Sequence, residues 1–294
     1  MMKTTVGILG LLVLTAGSLV AESESAAAGA SAWDVEVAFT AGRQGTDTSY
    51  EHRIVPVFQF QPEALGSLTQ DLDLAGGDDV GWRLGVQRMI GPRFGFQTLY
   101  GSNGFPLGGT SSPLRVDLEY TSTQPPDYIP TPATFSGSTE WSDPEGDVDV
   151  EYLCFNGLAR VRRGERVQLA FSGGVTFFSI EADVASLGYE TFWLGGHGVL
   201  FSEIYELVAE SERKTSVGAN LGIELAIPLG DRWKVVGDVR AFLSPTVDLP
   251  LEPAGVANAD QVIRDVYLAD VGPLVPLPLD PSFVSLSVGM RMSL

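Results

Sequence analysis

Cysteine, histidine, lysine and long apolar runs are all scarce in this chain. A single cysteine, Cys154, excludes an internal disulfide framework. Two histidines, His52 and His197, leave little material for catalysis by a histidine-based triad, although His197 stands near Ser202 and Glu203 in "GGHGVLFSE". With few lysines and a formal net charge of −19, the surface repels nucleic acid and bare phosphate. Beyond the first 21 residues no apolar run is long enough to cross a membrane as a helix. What the chain does have is glycine, 34 residues of it, and a near-neutral mean hydropathy of +0.13, which suits sheet with many turns rather than disorder.

The first residues have the layout of an export signal. Lys3 is the only charge before Glu22, an apolar core runs from Val6 to Val20, and small residues follow. This predicts a cleaved signal peptide over 1–21, with Ala28 and Ala30 as alternative cleavage points to Ala21, and a flexible segment over 22–31. A retained membrane anchor is the other reading, but this core is shorter than the ~20 residues a spanning helix needs.

From Trp33 onward one pattern recurs. The run "FVSLSVGMRMSL" places Val284, Leu286, Val288, Met290, Met292 and Leu294 on one face and Ser285, Ser287, Gly289, Arg291 and Ser293 on the other. The same two-residue period appears in "WDVEVAFTAGR", "VGWRLGVQRMI", "FGFQTLYG", "VDVEYLCFNGLARV", "RVQLAFSGGVTFFSI", "TSVGANLGIELAIP" and "WKVVGDVRAFL". The fourth of these admits two phases. Putting Leu153, Phe155, Ala159 and Val161 on the apolar face keeps Asn156 and Arg160 off it. Each run has about the ~9–11 residues of a transmembrane strand.

An ordinary sandwich would alternate too, so the connections decide. "IGPR", "RRGE" and "PLGDR" are tight, whereas 44–78, 102–147, 182–212 and 244–281 are long, and short and long connections alternate without exception. That parity fits an all-β, closed eight-stranded antiparallel transmembrane barrel over 32–294, with short periplasmic turns and four long extracellular loops. The last run is expected to pair with the first. In this layout the chain resembles the eight-stranded outer-membrane barrels, such as the transmembrane domain of outer membrane protein A. The resemblance implies a bacterial outer-membrane location, delivery by the barrel-assembly machinery, and a monomer.

Charge sorts by the same parity. The four long gaps hold 25 acidic residues against Arg53, Arg115 and Arg264, while Arg88, Arg93, Arg162, Arg163, Arg166 and Arg232 gather at the short turns. An acidic outer face could meet lipid and lipopolysaccharide through divalent cations. "SDPEGDVDVE" is its densest tract, but it lacks the spacing of a calcium loop and reads better as a solvated, self-repelling segment. Trp33, Trp82, Tyr100, Tyr152 and Trp233 lie near run ends and are expected to form an aromatic girdle.

The inward faces carry Asp34, Glu36, Glu224 and Asp238 beside Arg83, Arg160, Lys234, Arg240 and Arg291, with Gln87, Gln97, Asn156, Gln168 and Asn220. Eight strands enclose a space that side chains can just fill. Mixed charges there should pair into a structural plug, because a lone buried charge is costly. No cofactor or metal site is expected. Within the third gap, Phe192, Trp193, Leu194, Leu200 and Phe201 form an apolar patch, followed by a helical-looking stretch with Ile204, Leu207 and Val208 on one side. Such a loop could pack on its neighbours, or receive a small hydrophobic ligand as in the outer membrane protein W family. The functional expectation is a non-enzymatic barrel that works by surface interaction, with a hydrophobic conduit as the alternative and a lipid-modifying enzyme as a weaker one.

Overall fold

The computed structural model describes residues 33–45, 47–54, 64–120, 133–163, 167–194, 200–256 and 274–294. The expected signal peptide and the segment after it lie outside the described residues. In chain order the strands are β1 (Trp33–Gln44), β2 (Asp47–Ile54), β3 (Ala64–Gly76), β4 (Asp78–Met89), β5 (Phe94–Ser111), β6 (Leu114–Tyr120), β7 (Ala133–Thr139) and β8 (Glu145–Arg163). They continue with β9 (Gln168–Leu194), β10 (Leu200–Ser211), β11 (Lys214–Pro228), β12 (Trp233–Leu243), β13 (Val247–Leu249), β14 (Leu251–Val256), β15 (Leu277–Leu279) and β16 (Phe283–Ser293).

Eight of these close on themselves. Antiparallel ladders join β1 to β4, then β5, β8, β9, β11, β12 and β16 in turn, and β16 pairs back onto β1 from Asp34↔Ser293 to Gln44↔Phe283. No barrel strand is left with a bare edge, which lipid would penalise by several kcal/mol per unpaired group. The tight connections sit together at one end. In the "PLGDR" turn Gly230 takes φ 94°, a left-handed conformation open to glycine, and the Leu229 amide donates to Trp233 O at 2.7 Å.

The alternation of each run becomes an inside and an outside. Phe39 is 75% exposed and Leu221 65%, while Arg83, Arg240 and Arg291 are buried. On β8 the phase that turns Phe155 and Val161 outward is the one adopted. A sheet with exposed apolar residues and buried arginines is inverted relative to a soluble barrel. Only a hydrocarbon surround makes that arrangement favourable, so the chain is a transmembrane barrel of the outer-membrane type.

Above the belt the described parts of the long loops are folded. The β1–β4 ladder continues upward as β2–β3, β3 pairs β5 and β6, and β9 continues against β10, which pairs β14. These extensions form a wall above the barrel, and beside it lies the small β13–β15 sheet, next to which Tyr50 of β2 donates to Val275 O at 2.8 Å. Between them lies an apolar core that includes Ile54, Leu72, Leu107, Val148, Val184, Leu207, Leu249 and Leu277. The loops therefore make a β-rich head with its own core.

One expectation changes here. The stretch with Ile204, Leu207 and Val208 is strand β10, not helix. It has a ready ladder partner in β9, with Tyr205, Leu207 and Ala209 turned inward at a period of two. "LRVDLEY" is β6, a hairpin partner of β7 in the head, and the spanning count stays at eight.

Barrel closure is directly testable. Cysteines replacing Val37 and Met290, which face each other across the β1–β16 seam, are expected to cross-link on mild oxidation in a Cys154→Ala background. Failure of that pair, with full linkage in a Val37/Leu84 control across β1–β4, would mean an open seam.

Candidate functional site

Strand parity positions the lumen residues, and three layers follow one another from the turn end to the loop end. Along β8 the inward side chains read Arg160, Leu158, Asn156, Cys154, Tyr152, Val150 and Val148, so ionic and amide groups give way to an aromatic and then to aliphatics.

The ionic layer is a chain of alternating charges. Glu224 accepts from Arg291 at 2.5 and 2.6 Å, and Arg291 also grips Glu36. Arg83 then spans Glu36 at 2.6 Å and Asp238 at 2.5 Å, and Asp238 accepts from Arg240 Nε at 3.2 Å. Three guanidinium groups meet three carboxylates, so the chain is neutral. Arg240 ends in amide and hydroxyl acceptors, donating to Asn220 and, at 2.6 Å, to Ser172. Nearer the turns, Lys234 pairs with Asp34 at 3.1 Å, and Gln87 and Ser293 donate to the same carboxylate. Arg160 lines a small recess there with Gln87, Met89, Leu158, Gln168, Ala170 and Glu224, and has an interaction of its own.

Register explains why the charges interleave. Glu224 and Asp238 are direct cross-strand neighbours, a repulsive placement in isolation. Arg291 from β16 and Arg83 from β4 reach across the lumen to separate them. Gly222, opposite Arg240, leaves the space the guanidinium occupies, since a Cβ there would lie 2.6 Å from Arg240 Nη2.

Above this layer the aromatics close ranks. Phe242 stacks on Phe283 with ring centres 4.3 Å apart, and Tyr152 lies 4.6 Å from Phe242. Phe105 and Phe178 complete the layer. Cys154 sits just beneath it, its sulfur 3.4 Å from Thr176 Oγ1. Each ring pair adds about 0.5–1.5 kcal/mol beyond the area it buries.

Tyr152 thus corrects the girdle expectation. It shares inward parity with Cys154 and Asn156, and its ring is buried in the lumen. The other four girdle residues stand on the outward face. Trp33 meets Phe96 edge-on with Arg88 over its ring, Trp82 meets Tyr100, and Trp233 is 46% exposed.

Outside the head, carboxylates line up across strands. Asp147 pairs with Asp183, Asp183 with Glu210 and Glu210 with Glu252, and Asp149 pairs with Glu181 one step nearer the lipid. Partial burial first, and neighbouring carboxylates second, push the Asp149 and Asp183 pKa values up. Arg213 bridges Glu151 and Glu181 at 3.4 and 3.1 Å. Among the described residues no group of His, Cys, Asp or Glu is arranged to hold a metal ion.

The apolar patch of the third loop is a hairpin tip. Trp193 pairs with Phe201 and Leu194 with Leu200 along the backbone, while the side chains of Phe192, Trp193, Leu194, Leu200 and Phe201 lie outside the described residues, as does His197. Sequence reasoning missed the aromatic layer and the core of the head. The signal for both was present in the inward parity of "DVDVEYLCF", which runs on past the lipid boundary with Val148 and Val150 still facing in.

No protein-family model matches the sequence, and no curated protein matches it. Among solved structures, the chain is similar to the outer membrane protein OprG of Pseudomonas aeruginosa, at 9% identity and a TM-score of 0.42, covering 90% of this chain and 96% of that one. It is similar to the outer membrane protease OmpT of Escherichia coli, at 8% identity and a TM-score of 0.41, covering 92% and 99% respectively. The attachment invasion locus protein Ail of Yersinia pestis gives 8% identity and a TM-score of 0.34 over 89% of this chain and 98% of that one. The ladders and burial above stand independently of these likenesses.

Removing one member of the charge chain should be costly. Arg291→Leu leaves Glu36 and Glu224 facing each other in a dry lumen and is expected to destabilise the barrel by ~3–5 kcal/mol, read as a lower urea midpoint in liposomes. An unchanged midpoint would mean that the lumen is wet enough to solvate both acids.

Proposed function

We propose that the chain is a plugged outer-membrane anchor whose working part is the folded acidic head, a surface that meets other components of the cell exterior. The observation that carries this reading is the filled lumen. Any solute would have to displace the packed rings of Tyr152, Phe242 and Phe283 and then break the neutral chain from Glu224 to Arg240. A pore selective for ions would favour a ring of one sign and a wider bore. A plug favours mixed signs that neutralise each other, and this lumen has them.

The head supplies the contact surface. Its outer side presents the carboxylate rows of β8, β9, β10 and β14, with Arg213 at their lower edge. The rows on β8 and β9 continue upward from the lipid-facing Phe155, Val175 and Phe177, which supports contact with lipid headgroups. Divalent cations shared between these carboxylates and lipid phosphates would seat the head on the membrane surface. The same inventory favours binding over catalysis. Of the two histidines, His52 is buried against a backbone carbonyl, away from any nucleophile it could activate among the described residues.

A conduit for small apolar molecules is the second reading, favoured by the apolar interior of the head. It requires an exit above the aromatic layer, since the barrel below is blocked. Planar-bilayer recording separates the two. The anchor reading expects no steady conductance from the wild type, and persistent single-channel steps would overturn it.

A further inference from the structure

Two facing parts of the head wall meet at one backbone position. In β9 the ladder with β10 shifts register between Leu207 and Ala209, and Ser186 takes φ 63°, the only non-glycine residue with a positive value among the described residues. This bulge in β9 is itself pinned. Trp141 Nε1 donates to Ser186 O at 2.7 Å, and Ser186 Oγ donates to Glu206 at 2.7 Å. Two residues on, Gly188 is held on both sides of its backbone. Its N–H donates to Gln70 Oε1 at 3.0 Å, and its carbonyl accepts from His52 Nε2 at 3.1 Å. His52 and Gln70 are direct cross-strand partners in β2–β3. A Cβ at Gly188 would lie 3.0 Å from the Leu114 side chain, so glycine lets the two walls approach this closely.

We propose that this contact is a proton-released latch: neutral His52 clamps the β2–β3 hairpin against β9, and protonation of its ring releases that clamp on β9 while the hairpin keeps its ladders to β5 and β6. The carbonyl of Gly188 can only accept, so Nε2 carries the hydrogen and Nδ1 is left as the site for a second proton. Nδ1 has no partner among the described residues, and the imidazole is completely buried, at 0% exposure. The titratable groups nearby on packed elements are already engaged. Tyr50 on β2 donates to Val275 O, and Glu206 on β10 accepts from Ser186, while β3 presents only the neutral Gln70. Burial holds the His52 pKa down, to about 4, and the Gly188 carbonyl offsets this in part.

The sign follows from that depression. The latched state has its full advantage above the ordinary value of 6.5 and loses it as pH falls through about 4, by up to tenfold per pH unit. Among the described residues β2 pairs only with β3, so it sits at the weakly held edge of the wall, where local opening is easiest. Release would bare apolar inner faces such as Leu72, Leu187 and Leu207 to the medium. Asp149 and Asp183 work in the opposite direction, since acid relieves their repulsion, so global stability is the wrong readout.

The test is hydrogen exchange at the Gly188 amide in the full chain in nanodiscs from pH 7 to 4, corrected for intrinsic rates and referenced to the Phe39 amide in β1. Wild type is expected to lose at least tenfold in protection, and His52→Gln, which keeps a donor but does not titrate, is expected to stay flat. A flat wild type, or an equal loss in His52→Gln, overturns the latch. Should His52→Gln not fold, imidazole titration by NMR in a His197→Gln background decides. Protonation near pH 4 that tracks the loss of protection supports the latch, and protonation at or above pH 6.5 overturns it.

Discussion

Hydrocarbon offers no hydrogen bonds, and that constraint organises the molecule. Every backbone group at membrane depth must find a partner in the sheet, so eight strands close and β16 returns to β1. Closure then forces each strand to choose which parity faces lipid. Apolar side chains take the outside, and the polar set is driven into a bore with little room for water. Once there, arginines and carboxylates have only each other. The neutral chain Glu224–Arg291–Glu36–Arg83–Asp238–Arg240 is a consequence of closure as well as a filling for it.

The inward parity does not change along a strand, but its environment does. At lipid depth the bore is lined by charge and amide. At the lipid boundary it is sealed by Tyr152, Phe242 and Phe283, and above it the same face of β8 and β9 becomes the core of a head that stands in water. There the outside must be polar, which is why Glu151, Asp149 and Asp147 replace Leu153 and Phe155 on the outward parity of one strand. A single strand is therefore inverted below and conventional above. The head needs no separate domain because it extends barrel strands already fixed in register.

Much of this was readable from residue order because a period of two carries so little ambiguity. Alternation gives the phase of seven runs, the fourth also needs Asn156 and Arg160 kept off the apolar face, and the connection lengths give the parity of short and long loops. Pairing partners do not follow from it, because which carboxylate meets which arginine depends on the stagger between strands distant in sequence, as with Arg83 and Asp238. Tyr152 was placed among the girdle because it is an aromatic near a run's end, although its parity with Asn156 puts it inside. The stretch around Leu207 looked helical because Ile204, Leu207 and Val208 are spaced three and four apart, but paired with β9 the strand turns Tyr205, Leu207 and Ala209 inward at a period of two.

Cys154 offers the most direct measurement of the central claim, that the bore is filled and dry. The native thiol lies inside the barrel between the ionic and aromatic layers, packed against Thr176. Exposed to a small charged methanethiosulfonate reagent, folded protein in lipid should remain unlabelled while urea-unfolded protein labels completely. Rapid labelling of the folded barrel would contradict the account, because a reagent that reaches Cys154 must travel through water in the lumen.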